Sequence, residues 1–295
     1  VVDPYHEGSR AVQDRLGVRA MADHVGRSIG PDIREVAAAF LGLQPMLVIG
    51  AADEAGRMWS SLLTGTPGFV RATGPRHIAV TGGPPDGDPL TAALATEGTD
   101  VGTLALDPRT RRRMRLNGTA APTPRGFVVA AEQVFSNCPR YLQRRTLQAP
   151  VPGRAGAARR GRELTPGQQR LVRAADTFFI ATAAADGTDA SHRGGNPGFV
   201  QVTSPNKLSW QDYPGNSMFL TLGNLEGDPR AGLLFVDWST GTTLQLTGTA
   251  TTAFGAAGRT TRFTVAETVE TPHAGPLRWS APEYSPANPP VRESA

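Results

Sequence analysis

The chain is short of the residues that would announce its chemistry. One cysteine, Cys138, in 295 residues excludes an intramolecular disulfide and a cysteine-rich zinc site. The five histidines are scattered, with no HExxH or HxxxH pair, so no helical metal motif is present. Lys207 is the single lysine among 30 basic residues; the others are arginines, which hold phosphate through a planar fork. Net charge is only +4, with a pI near 9.8. That suits an anionic small ligand as well as a polyanion and selects neither. No apolar run approaches the ~20 residues of a membrane span. The opening VVDPYHEGSR is polar, without a signal-peptide core, so a cytoplasmic protein is expected.

What the chain does have is glycine (34) and proline (25), which favour many short elements joined by turns. It also repeats itself. SLLTGTPGFVRATGP (61–75) matches SHRGGNPGFVQVTSP (191–205) at an offset of 130, pairing Gly65/Gly195, Pro67/Pro197, Phe69/Phe199 and Val70/Val200. The same offset pairs Gly102/Gly232, Leu104/Leu234, Asp107/Asp237, Leu116/Leu246 and Gly118/Gly248. Upstream, LVIGAADEAG (47–56) matches FFIATAAADG (178–187) with a shift of one.

Each copy reads as β. Phe178–Ala183 is a short apolar run ending in an Ala-Asp-Gly turn, and 198–203, 207–211, 233–238 and 243–249 are further strands. Short strands at close spacing predict a small barrel in each copy. Helical spacing covers 9–39, with a break near Gly30-Pro31, and 216–225 reads as a short helix across a barrel end. Thr165-Pro166 opens a helix to about Ala175 that packs Leu171, Val172 and Ala175 on the second barrel.

The strings SHRGGNPGFVQV (191–202), SWQDYPGNSMFLTLGNL (209–225) and DPRAGLLFVDW (228–238) resemble the pyridoxamine 5'-phosphate oxidase-like, FMN-binding split-barrel family. YHEGSRAVQ (5–13) and SNCPRYLQRR (136–145) resemble the leader and mid-chain motif of one bacterial branch. The resemblance implies a mainly β (α+β) chain of two tandem split barrels with peripheral helices. It implies FMN in the cleft where the barrels meet, the chain being a pseudo-dimer in itself or forming a homodimer. The expected layout is a helical leader (1–42), a degenerate first barrel (43–147), a linker (148–164), a flavin-binding second barrel (165–280) and a tail (281–295). Ser217 stands where many relatives carry a basic residue, and the pattern departs from true pyridoxamine phosphate oxidases, which argues against vitamin B6 oxidation.

The candidate ligand residues cluster in copy two. Ser191, His192 and Arg193 at a glycine-rich bend suit a phosphate; the plainer reading is a polar hairpin. Trp210 offers a flat wall, and Gln211 and Asp212 offer edge contacts, for a ring; a core Trp beside a turn is the alternative. Copy one has Leu62-Leu63 for His192-Arg193 and Val80 for Trp210, with Asp86 and Leu94 for Asn216 and Asn224, as a structural partner should. Trp59 and Ser61 face the flavin from copy one or pack its core. Arg140 and Arg144, four apart, share a helix face that covers the phosphate or is solvated. Tyr141 and Tyr213, with Arg140 and His192, are substrate-contact candidates. Cys138 reads as a small buried residue, and the basic run RTRRRMR (109–115) as a solvated hairpin.

The expected function is an FMN-dependent oxidoreductase acting on a small molecule with an electron donor or acceptor, without nucleic-acid or membrane partners and without a metal. The alternative is a non-catalytic flavin, deazaflavin or haem binder. A nucleic-acid-associated protein is a weaker third reading, since no aromatic interleaving accompanies the basic run.

Overall fold

Runs that are apolar at nearly every position, such as MLVIGAA and TFFIATAA, predict strands buried on both faces. They become β1 (Met46–Ala52) and β9 (Thr177–Ala184) of a computed structural model that describes residues 3–136, 139–256 and 258–291. In β1, Leu47, Ile49 and Ala51 fill the first barrel, while Met46 and Val48 point out of it towards the second.

The first sheet holds β1 and β2 (Met58–Thr64), β3 (Val70–Gly74), β4 (His77–Thr81), β5 (Thr99–Asp107), β6 (Arg112–Thr123) and β7 (Gly126–Ser136). The second holds β9 and β10 (Gly187–Gly194), β11 (Val200–Ser204), β12 (Lys207–Asp212), β13 (Arg230–Val236), β14 (Thr243–Gly255) and β15 (Gly258–Thr271). Strand order is β2-β1-β5-β6-β7-β4-β3 in one and β10-β9-β13-β14-β15-β12-β11 in the other, the same path walked twice. All pairings are antiparallel, so the protein is mainly β, with two tandem split barrels. Repeated glycines mark repeated irregularities: register shifts at Asn117/Gly118 and again at Thr247/Gly248. A Cβ on either glycine would stand 1.9 Å from a carbonyl of the neighbouring strand.

Helices cover the outside. The leader forms α1 (Glu7–Arg15), α2 (Arg19–Gly26) and α3 (Glu35–Gly42). Its first break thus falls earlier than Gly30-Pro31, because Gly17 takes a φ of +65°. A short α4 (Thr91–Leu94) follows β4. The stretch between barrels is mostly exposed, but β8 (Arg159–Gly161) pairs with β15. α5 (Pro166–Ala174) has Thr165 as N-cap in a capping box with Gln168, and its Val172, Leu171 and Ala175 pack on the second core. α6 (Leu220–Gly227) starts four residues later than the sequence suggests. Ser217 and Phe219 take left-handed φ values of 63° and 56°, and the Asn216 side chain accepts from Met218 N–H, holding 216–219 as a turn.

The barrels meet face to face. Met46, Val48, Leu104 and Leu106 of the first pack with Phe179, Ala190, Leu234 and Val236 of the second. Gly102 and Gly232, paired in the repeat, each let the opposite barrel approach: their Cβ atoms would lie 2.4 Å from Ala190 N and 2.5 Å from Trp59 Cα.

Candidate functional site

The site is assembled where β6 of the first barrel lies against β10 of the second. Strand alternation sends Met114 and Leu116 into the first core and Arg113, Arg115 and Asn117 to the opposite face. The basic run is therefore not the solvated hairpin expected of RTRRRMR. Arg115 is 4% exposed and ion-pairs with Asp189, which also accepts from Asn117 Nδ2 at 3.2 Å. Burial pushes the Arg115 pKa down, and the Asp189 charge opposes that shift. Arg113 Nη1 donates to His192 Nδ1 at 2.7 Å. An arginine can only donate, so Nδ1 is the acceptor and the neutral ring carries its proton on Nε2. Burial, with the Arg113 and Arg193 charges, holds the His192 pKa well below its ordinary value. The His192 Nε2 is buried and has no hydrogen-bond partner among the described residues.

Above this floor opens a cleft lined by Arg113, Arg140, Tyr141, Ser191, His192, Arg193, Gln211, Asp212, Tyr213 and Asn216. Its cavity measures about 110 Å³ and is open to solvent on one side. The enclosed part is smaller than the ~300 Å³ at which small-molecule pockets begin. It has room for an anion, while a larger ring needs the mouth. Tyr141 and Tyr213 supply aromatic surface there, their rings 5.2 Å apart and tilted by 47°, with Tyr141 Oη donating to Pro214 O at 2.9 Å. Burial raises the Tyr213 pKa. Arg193 is held in place, donating to Ser191 Oγ at 2.8 Å and pairing with Asp212 at 3.2 Å. Asp212 takes a second arginine, Arg259, at 3.1 Å.

Sequence reasoning brought most of these residues together but misread how some are held. Ser191–Gly194 is not a glycine-rich bend with free N–H groups; it is the end of β10, paired with β9. His192 therefore leaves on the opposite face from Ser191 and Arg193. Trp210 is not a wall of the cleft, because it alternates inward with Leu208 and packs edge-on against Phe178 at 4.9 Å in the second core. Trp59 does not face the cleft either: it is fully buried in the first core with Nε1 donating to Asp53. Asn224 is taken up by the leader, its Oδ1 accepting from His6 Nε2 at 2.8 Å and its Nδ2 donating to Thr182 Oγ1 at 3.0 Å. Residues 139–145 are not a helix, so Arg140 and Arg144 do not share a face. Arg144 instead bridges to Glu283, outside the cleft. Asn137 and Cys138 lie outside the described residues. Reasoning from sequence missed Arg113 and Arg115; the period-two pattern of Arg113, Arg115 and Asn117 against Met114 and Leu116 carried that signal. It also missed Gln143, whose Nε2 donates to Tyr141 O and Gly195 O and whose Oε1 accepts from Ser285 N–H.

The pseudo-equivalent position on the other side of the interface is closed. Ser61 and Gln245 stand at the repeat positions of Ser191 and Arg115. Ser61 Oγ donates to Asp88 at 2.7 Å, and Gln245 Nε2 donates to Ser61 Oγ, Ser60 O and Asp88 within 3.1 Å. Ser61 is thus locked in a buried polar knot rather than facing a ligand. Asp88 is 6% exposed, and burial raises its pKa.

Residues 164–278 match the family model described as pyridoxamine 5'-phosphate oxidase. Over that stretch, its second barrel, the chain is similar to the pyridoxamine 5'-phosphate oxidase family. No curated protein matches it. Among solved structures, HupZ of Group A Streptococcus is similar at 16% identity, over 35% of this chain and 89% of that one, with a TM-score of 0.28. A FAD-binding protein of Mesorhizobium loti is similar at 10% identity over 39% and 97%, TM-score 0.30. The FAD binding protein of Mycobacterium smegmatis is similar at 11% over 38% and 98%, TM-score 0.28. The family match contains Ser191, Arg193, Asp212 and Tyr213 but not Arg113, Arg140 or Tyr141; part of the cleft of this oxidase-like barrel comes from outside it. Among the described residues no group of three or more His, Cys, Asp or Glu could hold a metal, and no helix is long and apolar enough to cross a membrane.

Proposed function

We propose that the cleft binds FMN and that the protein is an FMN-dependent oxidoreductase acting on a small molecule in the cytoplasm. The observation that carries this reading is the basic floor built by both barrels, Arg113 of one held against His192 of the other at 2.7 Å. The family match of the second barrel supports a flavin-type ligand. The residues present fit the group: a deep pocket of anion size, flanked by arginines, opening towards an aromatic pair. Arg113, Arg193 and Arg140 would hold the phosphate, two of them as preset charges needing little reorganisation. Tyr141 and Tyr213 would bound the ring. The bound flavin supplies the redox chemistry. His192, neutral, holds a proton at Nε2 for donation as a hydrogen bond, not as an imidazolium. The closed opposite cleft leaves one such site per chain.

The test is the absorbance spectrum and mass of the ligand that co-purifies, followed by FMN titration of the stripped protein. Arg113→Ala and Arg193→Ala should each weaken FMN at least about tenfold. Unchanged FMN affinity in both variants would remove the phosphate assignment. A Soret band in place of flavin absorbance would make this a haem binder.

A further inference from the structure

A second cavity, larger than the first, opens between the leader, the start of β6 and the end of β7. It measures about 580 Å³, inside the ~300–1,000 Å³ range of small-molecule pockets. Its floor is apolar, with Ile29, Phe40 and Val134, and its rim carries arginines, among them Arg34 and Arg112. Among the described residues neither Arg34 nor Arg112 has an acidic partner within 4.0 Å. Arg112 instead lies over the Phe40 ring at 5.3 Å. The acidic side chain on the rim, Asp32, is already paired with Arg76 at 2.8 Å. The cavity therefore offers an apolar bed under a positive edge on which Arg34 and Arg112 meet no carboxylate among the described residues.

We propose that this cavity binds an amphipathic organic anion, an apolar body with a single carboxylate or sulfonate head. The body would cover Ile29, Phe40 and Val134, removing apolar surface from water. The head would take Arg34 and Arg112 at the rim, where an arginine fork matches a carboxylate. Val36, on α3, stands exposed at the mouth. The inference does not depend on flavin in the interbarrel cleft, although Arg113 lines both spaces.

The full chain is titrated with 8-anilinonaphthalene-1-sulfonate, read by fluorescence, and the dye is then displaced by decanoate or by decanol. Decanoate should compete and the uncharged alcohol should do so at least about tenfold less well. Arg112→Glu should weaken the dye by at least about tenfold. Val36→Trp, at an exposed position that folding tolerates, should block the mouth and lose the dye while FMN affinity stays as in the parent chain. Equal competition by decanol, or full dye binding by Val36→Trp, overturns the proposal. So does a chain that takes up neither probe and dimerises on dilution-series sedimentation, which would give the groove to a second copy.

Discussion

Single residues at the barrel interface set the electrostatics of the molecule. Arg115 and Asp189 bury opposite charges against each other, and Asp189 also accepts from Asn117. Asp189→Ala leaves a buried guanidinium uncompensated and should destabilise the fold by about 3–5 kcal/mol. Replacing both partners with apolar residues of similar volume should recover most of that loss in urea unfolding; a double variant as unstable as Asp189→Ala would show that the pair does more than neutralise itself. Asp88 acts with the opposite sign. Its carboxyl sits above the ordinary 3.8 through burial, so over a pH window opening upward from 3.8 the folded chain holds a proton that the unfolded chain has released. Stability then falls as pH rises through that window. Asp88→Asn should flatten this fall, gaining melting temperature relative to the parent as pH increases. A difference between the two chains that is the same at pH 4 and pH 8 would contradict it.

At the scale of elements, local signals sufficed where the partner lay close in sequence. Thr165, Pro166 and Gln168 define the start of α5 by themselves, and the side-chain and backbone bonds of the capping box are formed. Thr165→Ala should cost about 1 kcal/mol of stability in denaturant unfolding, with no change in FMN content; a neutral effect would mean that packing of Val172 alone fixes the helix. Elsewhere the element was legible and its use was not. In sequence the end of β10 reads as a bend because glycines crowd 194–195, yet β9 supplies a partner for every residue to Gly194. Residues 139–145 have helical composition, but their bonds go to the distant C-terminal strand-like segment, Arg144 to Glu283 and Gln143 to Ser285.

For the whole molecule, the repeated topology makes an interface with two pseudo-equivalent clefts of unequal fate. One is open and basic; the other is shut by Asp88, Ser61 and Gln245. Quantitative flavin release should give one FMN per chain, and a ratio of two would mean that the closed knot opens for ligand. Close barrel contact at Gly232 is part of the same design, with Trp59 Cα 2.5 Å from any added Cβ. Gly232→Val should cost at least about 1–3 kcal/mol by forcing the barrels apart and should lower FMN affinity with it, since the cleft draws residues from both. Unaltered melting temperature in that variant would show that the interface is softer than its packing suggests.

The repeat, the doubled-sided apolar strands and the turn residues determined two β barrels from sequence alone, because pattern and period act along the chain. Side-chain chemistry, together with the resemblance of copy two, also grouped Ser191, Arg193, Asp212 and Tyr213 around one ligand. Which face of β6 would carry Arg113 and Arg115 into the second barrel, and whether Trp59 and Trp210 would line a cleft or fill a core, depended on how two separate sheets pack. That choice lies between residues about eighty positions apart, such as Arg113 and His192, and only the tertiary structure makes it.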